Sequence, residues 1–346
     1  MVAQVNGQPA RVLVTGASGF IGSFLVERAL QAGMQVWAVV RPSSSKEYLK
    51  DPNIRFANLD FSSEEKLREV LRSIDPHYII HAAGLTKSLR PEAFMEVNAA
   101  GTERLARAAG GCGDLRKFVL VSSLSVMGPA REQEPHVAIT AADTPQPNTL
   151  YGRSKLEAER RLVIVAAERE KGGGRLPYCI VRPTGVYGPR ERDYFLMVKS
   201  VKGHVDFRMS GPKQHLTFVY VTDLVEAIFL SLGRGVQGRA YFISDGRAYS
   251  TEEFSALVRR RLGNPWLVTL PVPGWLLRIA AAVGDKVAAL TGKPTPVNTD
   301  KYNILRQRNW LCDIAPAVED LGYVPRVCLE EGVGRAVDWY VENKWI

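Results

Sequence analysis

Cysteine is scarce in this 346-residue chain, and what there is of it is scattered. Cys112, Cys179, Cys312 and Cys328 form no C-x-x-C pair, which argues against a disulfide framework or a thiolate zinc site. Set among apolar neighbours, they are expected to be reduced core fillers, as suits the cytosol. Histidine is sparse too, and His81, His136 and His215 have no ligand-like spacing with acids or cysteines, so no metal is expected. Long apolar runs are missing. The most lipid-like stretch, Trp275 to Leu290, carries Arg278, Asp285 and Lys286, and is too short and too charged to span a bilayer. It reads as an amphipathic helix over a pocket, with contact to a membrane surface as the alternative. The opening MVAQVNGQPARVLVTG lacks the basic start, apolar run and cleavage site of a secretory signal, so a cytoplasmic location is expected. The formal net charge is +9, but the cations are dispersed and no RNA-binding aromatic signature stands out. No nucleic-acid partner is expected, and the excess suits an anionic cofactor.

What is present is an alternation. Runs such as RVLVT, QVWAVV, HYIIHAA, KFVLVSS and LPYCIV are separated by helix-periodic stretches from Phe20, Glu64, Pro91 and Tyr151. That pattern predicts an α/β fold, a doubly wound parallel Rossmann sheet with helices on both faces. Beyond residue 183 the elements become irregular. The expected division is a Rossmann domain of 1–182 plus about 214–245, with a smaller interleaved α/β substrate lobe of about 183–213 plus 246–346. The long polar loop from Gly128 to Asn148 is a candidate functional loop.

The first strand runs into Gly16-Ala17-Ser18-Gly19-Phe20-Ile21-Gly22 and then a helix. Glycines at such a turn let the chain turn tightly and the backbone approach a pyrophosphate, while the helix N-terminus offers free N–H donors. The spacing therefore predicts dinucleotide binding. After the second strand, where NAD-selective sites carry an acid, stand Arg41, Pro42, Ser43 and Ser44. A guanidinium and hydroxyls bind a 2′-phosphate that a carboxylate would repel. This leans toward NADP, although an Arg41 that only covers the adenine face would allow NAD as well.

Further motifs follow in order: His81-Ala82-Ala83-Gly84, Asn98 in VNAAGT, Ser122-Ser123, Tyr151-Gly-Arg-Ser-Lys155, Arg182-Pro183-Thr184-Gly185-Val186-Tyr187-Gly188-Pro189 and FVYVTDLVEA. Together with the glycine loop they resemble the extended short-chain dehydrogenase/reductases, the epimerase/dehydratase superfamily, over nearly the whole chain. The steroid-dehydrogenase and dihydroflavonol-reductase branch is nearest in character. The resemblance implies that Gly16, Ser18, Gly19, Phe20, Ile21 and Gly22 hold the pyrophosphate and that Asp60 and Phe61 contact adenine. It puts Ala82, Ala83, Gly84, Asn98 and Ser122 along the cofactor channel and Pro183 and Val186 beside the nicotinamide. It also implies a homodimer through the helices from Pro91 and Tyr151.

The chemistry centres on Tyr151 and Lys155, one helical turn apart on one face. A tyrosine with a pKa of about 10 must be shifted to work near neutrality, and an ammonium at ~4 Å contributes about 4 kcal/mol only where the effective dielectric has fallen to roughly 20. Ser123 is the candidate to hold the substrate oxygen, with Ser122 as fallback. Met127 replaces the family's usual tyrosine, which is expected to alter the pocket wall and not the chemistry. Thr86, Ser125, Arg190 and Trp275 are candidate substrate contacts.

Three functions compete: an oxidoreductase acting on a hydroxyl or ketone of a small, mainly apolar molecule, a nucleotide-sugar epimerase or dehydratase, and a non-catalytic dinucleotide sensor. The intact Ser–Tyr–Lys set argues against the sensor. Nucleotide-sugar members usually carry an Asn and an Arg for the diphosphate where this chain has Gly185 and Leu216. Leucine cannot make a charge-assisted hydrogen bond to phosphate. Arg190 or Arg192 could substitute, which keeps the second function open.

Overall fold

The computed structural model describes residues 3–211, 213–293, 295 and 297–346. A short hairpin, β1 (Gln4–Val5) and β2 (Gln8–Pro9), precedes the strands predicted above: β3 (Arg11–Thr15), β4 (Gln35–Val39), β5 (Arg55–Ala57), β6 (Tyr78–His81), β7 (Lys117–Val121) and β8 (Tyr178–Pro183). Three strands then lie outside the main sheet: β9 (Gly185–Tyr187), β10 (Val205–Ser210) and β11 (Phe218–Tyr220). The chain returns to the sheet with β12 (Ala240–Ile243), and β13 (Val268–Pro273) follows. The seven-stranded sheet has the order β12-β8-β7-β6-β3-β4-β5, and every pairing is parallel. The direction of winding reverses between β3 and β6, which opens a crevice beyond their C-terminal ends.

The helices are α1 (Phe20–Gln31), α2 (Glu64–Ile74), α3 (Pro91–Phe94), α4 (Gly101–Ala109), α5 (Leu150–Lys171), α6 (Asp193–Lys202) and α7 (Val221–Arg234). They continue as α8 (Thr251–Arg261), α9 (Gly274–Thr291), α10 (Thr299–Arg306), α11 (Ala315–Leu321) and α12 (Leu329–Glu342). Strand residues alternate between two cores, because side chains on a strand point to opposite faces. Val12 and Val14 pack with Leu25 of α1 and Leu224 of α7. Leu13 packs with Leu67 of α2, Leu105 of α4 and Leu162 of α5. Each such side chain contributes roughly 1.5–3 kcal/mol on full burial, so a sheet covered on both faces needs no further staple.

The one helix expected from Pro91 is instead α3, a π-helical turn over Met95–Ala100, and α4. Such a turn inserts an extra residue, and it includes the buried Asn98 and Ala99.

Outside the main sheet lie the parallel pairs β9–β11 and β10–β13, and a further apolar core joins Tyr187, Phe218, Phe254, Val333 and Tyr340. A strap after α10 ties down the long polar loop: Gln307 Nε2 donates to the Gly128 carbonyl, and Asn309 Nδ2 to those of Ala130, Arg131 and Val137. Met127 lies beneath that loop with Leu124, Ile139 and Cys312. It is buried and not among the cavity-lining residues described below, so it does not itself form the pocket wall. Cys328 also departs from expectation, being exposed at the start of α12 while Cys179 and Cys312 are buried. Among the described residues no helix is long and apolar enough to cross a membrane.

Candidate active site

The glycine loop is shaped by close approach. Gly16 has φ +69, and a Cβ there would lie 2.8 Å from the backbone of Ala83. A Cβ at Gly22 would overlap the Gly16 carbonyl. At Gly19 the only nearby atom is the Gly16 oxygen at 3.2 Å, and α1 begins there with no side-chain cap. The first N–H groups of a helix lack intrahelical partners and favour an anion, so a pyrophosphate fits this uncapped end.

Beneath the loop runs a chain of hydrogen bonds whose proton positions can be worked out. The Thr102 hydroxyl donates to the Asn98 carbonyl at 2.6 Å and so accepts from His81 Nε2 at 3.0 Å. His81 Nδ1 then accepts from the Thr15 hydroxyl at 2.7 Å, which in turn accepts from the Ala83 N–H at 3.1 Å. His81 is held neutral in this chain: burial, with the Lys155 charge adding to it, pushes it down to about 3. Ala82, Ala83 and Gly84 are thereby fixed against the glycine loop. Asn98 spends its side chain inside the protein, bonding Leu85 at its N–H and carbonyl and the Ser154 hydroxyl. It braces the loop after β6 against α5. Phe61 stacks on His81, while the Asp60 carboxylate accepts from Ser62 and Lys66, which hold it far below the usual range. Arg41 is exposed after β4, and Ser44 N–H donates to its carbonyl.

Tyr151 is the second residue of α5. Thr149 caps that helix by accepting from Gly152 N–H at 2.9 Å. Gly152 must lack a side chain, because a Cβ would come within 2.5 Å of the Ser125 carbonyl, and this contact sets the start of α5 against the Ser123–Ser125 segment. Ser123 Oγ donates to Ser125 Oγ and accepts from Ser125 N–H, both at 3.1 Å. Burial pushes the Tyr151 hydroxyl up to about 12, with the Ser123 side chain pulling the other way. Lys155 is buried and donates to the Val121 carbonyl at 2.8 Å. An ammonium has three protons to donate. Its neighbour across the gap is Gly84, where a Cβ would sit 3.0 Å from Nζ. Burial lowers Lys155 to about 8, opposed by the Glu159 carboxylate one turn along. Glu159 is itself paired with Arg182 in a buried two-point bridge of 3.0 and 2.6 Å. Ser122 is buried with an unpartnered hydroxyl.

From Ser123 a cavity of about 510 Å³ extends under α6, with Pro183, Val186, Ser125, Tyr194, Phe218 and Trp310 among its walls. Among the described residues its charged lining is Glu191, Asp193, Asp206 and one cation, Lys301. At position 185, one of the two diphosphate positions noted above, a Cβ would overlap the Tyr194 hydroxyl, so a larger residue there requires that side chain to move. Three candidate substrate contacts fall outside this lining. Thr86 is exposed on the loop after β6. Arg190 pairs with Glu27 at 2.7 Å, donates to Ser23 Oγ, and lies between the rings of Phe24 and Tyr48. Trp275 is 66% exposed on α9. Beside α6 and α8, the helix that lines the cavity is α10 and not α9, through Lys301, Ile304 and Leu305, while α9 packs its small residues Ala281, Gly284 and Ala288 inward.

One functional residue was not visible in the sequence. The Asp300 carboxylate, from α10, accepts from Leu150 N–H at 3.1 and 3.0 Å and so holds the start of the tyrosine helix. Its only local signal is the Asn298 cap that starts α10.

A 3 beta-hydroxysteroid dehydrogenase/Delta 5-->4-isomerase of Mycobacterium tuberculosis is 26% identical over 98% of this chain and 92% of its own. A ceramide reductase of Caulobacter vibrioides is 26% identical over 97% and 96%. In fold the chain is similar to the UDP-glucose 4-epimerase of Thermotoga maritima, with a TM-score of 0.76 at 24% identity over 96% and 99% of the two chains. A sequence model described as the NAD dependent epimerase/dehydratase family matches residues 12–244. This chain is therefore an enzyme that belongs to the NAD-dependent epimerase/dehydratase family.

Proposed function

We propose that this enzyme is an NADP(H)-preferring oxidoreductase that interconverts a hydroxyl and a ketone on a small, mainly apolar molecule, in the cytoplasm and as a homodimer. The observation that carries the reading is Gly185. The Tyr194 hydroxyl lies where the diphosphate-binding asparagine of nucleotide-sugar members would start and would have to move to admit one, and Leu216 stands in the cavity wall at the position of their arginine. Lys301 is the one cation among the described lining residues, and the nearby Lys87 and Arg208 are already paired with Asp193 and Asp206, which leaves few charge-assisted donors for a second pyrophosphate.

Residues 1–182 with 214–245 carry the dinucleotide, and 183–213 with 246–346 contribute most of the substrate cavity. The uncapped start of α1, Gly16, Gly19 and Gly22 would hold the pyrophosphate, Arg41 and Ser44 the 2′-phosphate, and Lys155 the ribose next to Gly84. When bound, the nicotinamide supplies the hydride.

The protein's own part is the proton. In reduction the Ser123 hydroxyl turns from Ser125 to the carbonyl oxygen of the substrate, and Tyr151 gives that oxygen its proton. A tyrosine raised to about 12 holds its proton firmly in the resting enzyme. Transfer becomes favourable as negative charge grows on the substrate oxygen, with the Lys155 ammonium stabilising the tyrosinate left behind. The buried setting makes that charge effective, since the same ammonium in bulk water would contribute only about 1 kcal/mol at ~4 Å. In oxidation the proton runs back.

The test is a spectrophotometric screen of NADPH and NADH against lipophilic ketones and against UDP- and dTDP-sugars. Turnover of an apolar ketone with NADPH, lost by at least about a hundredfold in Tyr151→Phe with cofactor affinity kept, is the expected result. Conversion of a nucleotide sugar with no ketone reduced would establish the epimerase or dehydratase reading instead.

A further inference from the structure

Helix α9 is turned inside out for a protein surface. Trp275, Ile279, Val283, Val287 and Leu290 recur every three or four residues along one face, and that face points to solvent, with Ile279 54% and Leu290 87% exposed. Its inward face is made of small residues. Gly284 lies so close to the Val297 carbonyl that a Cβ would overlap it. At 18 residues the helix is about 27 Å long. Single exposed apolar residues are ordinary, but a continuous stripe of this size marks an interaction surface.

The stripe continues toward the cavity. β13, which leads into α9, exposes Val268 and Leu270. Leu270 pairs in register with Phe207 of β10, itself exposed and part of the cavity wall, and Leu196 of α6 is also both exposed and lining.

Charge selects the occupant. Arg278, Lys286 and Lys293 are exposed on or just after α9, and Lys199 and Lys202 are exposed on α6. The only acid on α9, Asp285, is engaged by the Thr299 N–H and hydroxyl. A second copy joined through this face about a two-fold axis would set these cations against their own images. A leaflet of anionic headgroups over hydrocarbon satisfies both features, since interfacial helices bury an apolar face with tryptophan and flank it with lysine and arginine.

We propose that α9 and the adjoining β13 edge dock this enzyme on the surface of an anionic membrane, lying in the interface without crossing it, with the mouth of the cavity beside the bilayer. The docking rests on exposure and charge alone. Only its benefit, delivery of an apolar substrate from the lipid phase, depends on the function proposed above, and the assay below uses no substrate.

The experiment is flotation of the purified full-length protein with vesicles of phosphatidylglycerol and phosphatidylcholine, and of phosphatidylcholine alone. The protein should float with the anionic vesicles and much less with the neutral ones. Trp275→Glu combined with Ile279→Glu should reduce flotation by about tenfold or more. Both sites are exposed, so an unchanged circular dichroism spectrum and unfolding midpoint are expected. Lys286→Glu with Arg278→Glu should weaken binding to anionic vesicles selectively. Wild-type protein that stays unbound with both vesicle types, or that binds as well after the Trp275/Ile279 change, overturns the proposal. So does light scattering in which that change splits a dimer while vesicles are ignored, which would assign the stripe to self-association.

Discussion

At the scale of single residues, the site works by withholding water from two groups and leaving each with one corrective neighbour. Lys155, driven down to about 8 by burial, carries its charge below that pH and loses it above. Tyr151, raised to about 12, keeps its proton throughout that range. The proposed ketone reduction requires both protons in place. The pH profile of kcat/KM for reduction should therefore be level on the acid side and fall through a limb near 8, since that ratio reports groups of the free enzyme. Lys155→Arg, which cannot be deprotonated in this range, should move the limb upward from a lower plateau, and an unmoved limb would assign it to another group. The proposed specificity also turns on one contact. Gly185→Asn is expected to destabilise the fold by about 1–3 kcal/mol in urea unfolding, because the Tyr194 hydroxyl must move to admit it. In Tyr194→Ala that ring is gone, and adding the asparagine should cost clearly less there. Strictly additive losses in the double variant would show that Tyr194 is not the obstacle.

At the scale of elements, the tyrosine helix is held by a segment far along the chain. Asp300 on α10 accepts from the first N–H of α5, and α10 also lines the cavity, so one helix touches both the cavity and the start of the helix that carries Tyr151. Asp300→Ala leaves an N–H unpaired and is expected to cost about 1–2 kcal/mol, read by thermal unfolding, together with a lower kcat. Asp300→Asn keeps an oxygen there and should recover most of both. Equal losses would show that it is the negative charge at the helix N-terminus that matters. None of this coupling could be read from the chain. The strands RVLVT, HYIIHAA and KFVLVSS were legible because β-branched runs buried on both faces carry their own pattern, and the glycine loop because a strand and a helix flank it. The roles of Asp300, Tyr194 and α10 depend on contacts across long stretches of sequence and on which side chain fills which space. Trp275 misled for a related reason: amphipathic spacing shows that a helix has two faces, and only packing decides which one turns inward.

At the scale of the whole molecule, the surface bears on assembly. The paired helices α4 and α5 and the π-turn before α4 expose Met95, Val97, Val163 and Ile164. The same helices carry ion pairs in which Arg161 bridges Glu103 and Glu157, and Arg107 bridges Glu103 and Glu168. Exposed apolar side chains beside satisfied ion pairs suit a protein–protein interface, whose core is desolvated while its rim stays polar. A stable dimer buries roughly 800 Å² on each partner, an area that two adjacent helices can supply. On α9 the charges are Arg278 and Lys286, with its one acid, Asp285, already held by Thr299. A homodimer through α4 and α5 leaves the α9 stripe free. Light scattering at micromolar concentration should therefore give the mass of two chains. Ile164→Lys, which buries a charge without a counter-ion at the centre of the contact, should weaken association by about 2–4 kcal/mol and yield monomers at the same concentration. A mass of one chain for the wild type, or a dimer indifferent to Ile164→Lys, would place the interface elsewhere or remove it.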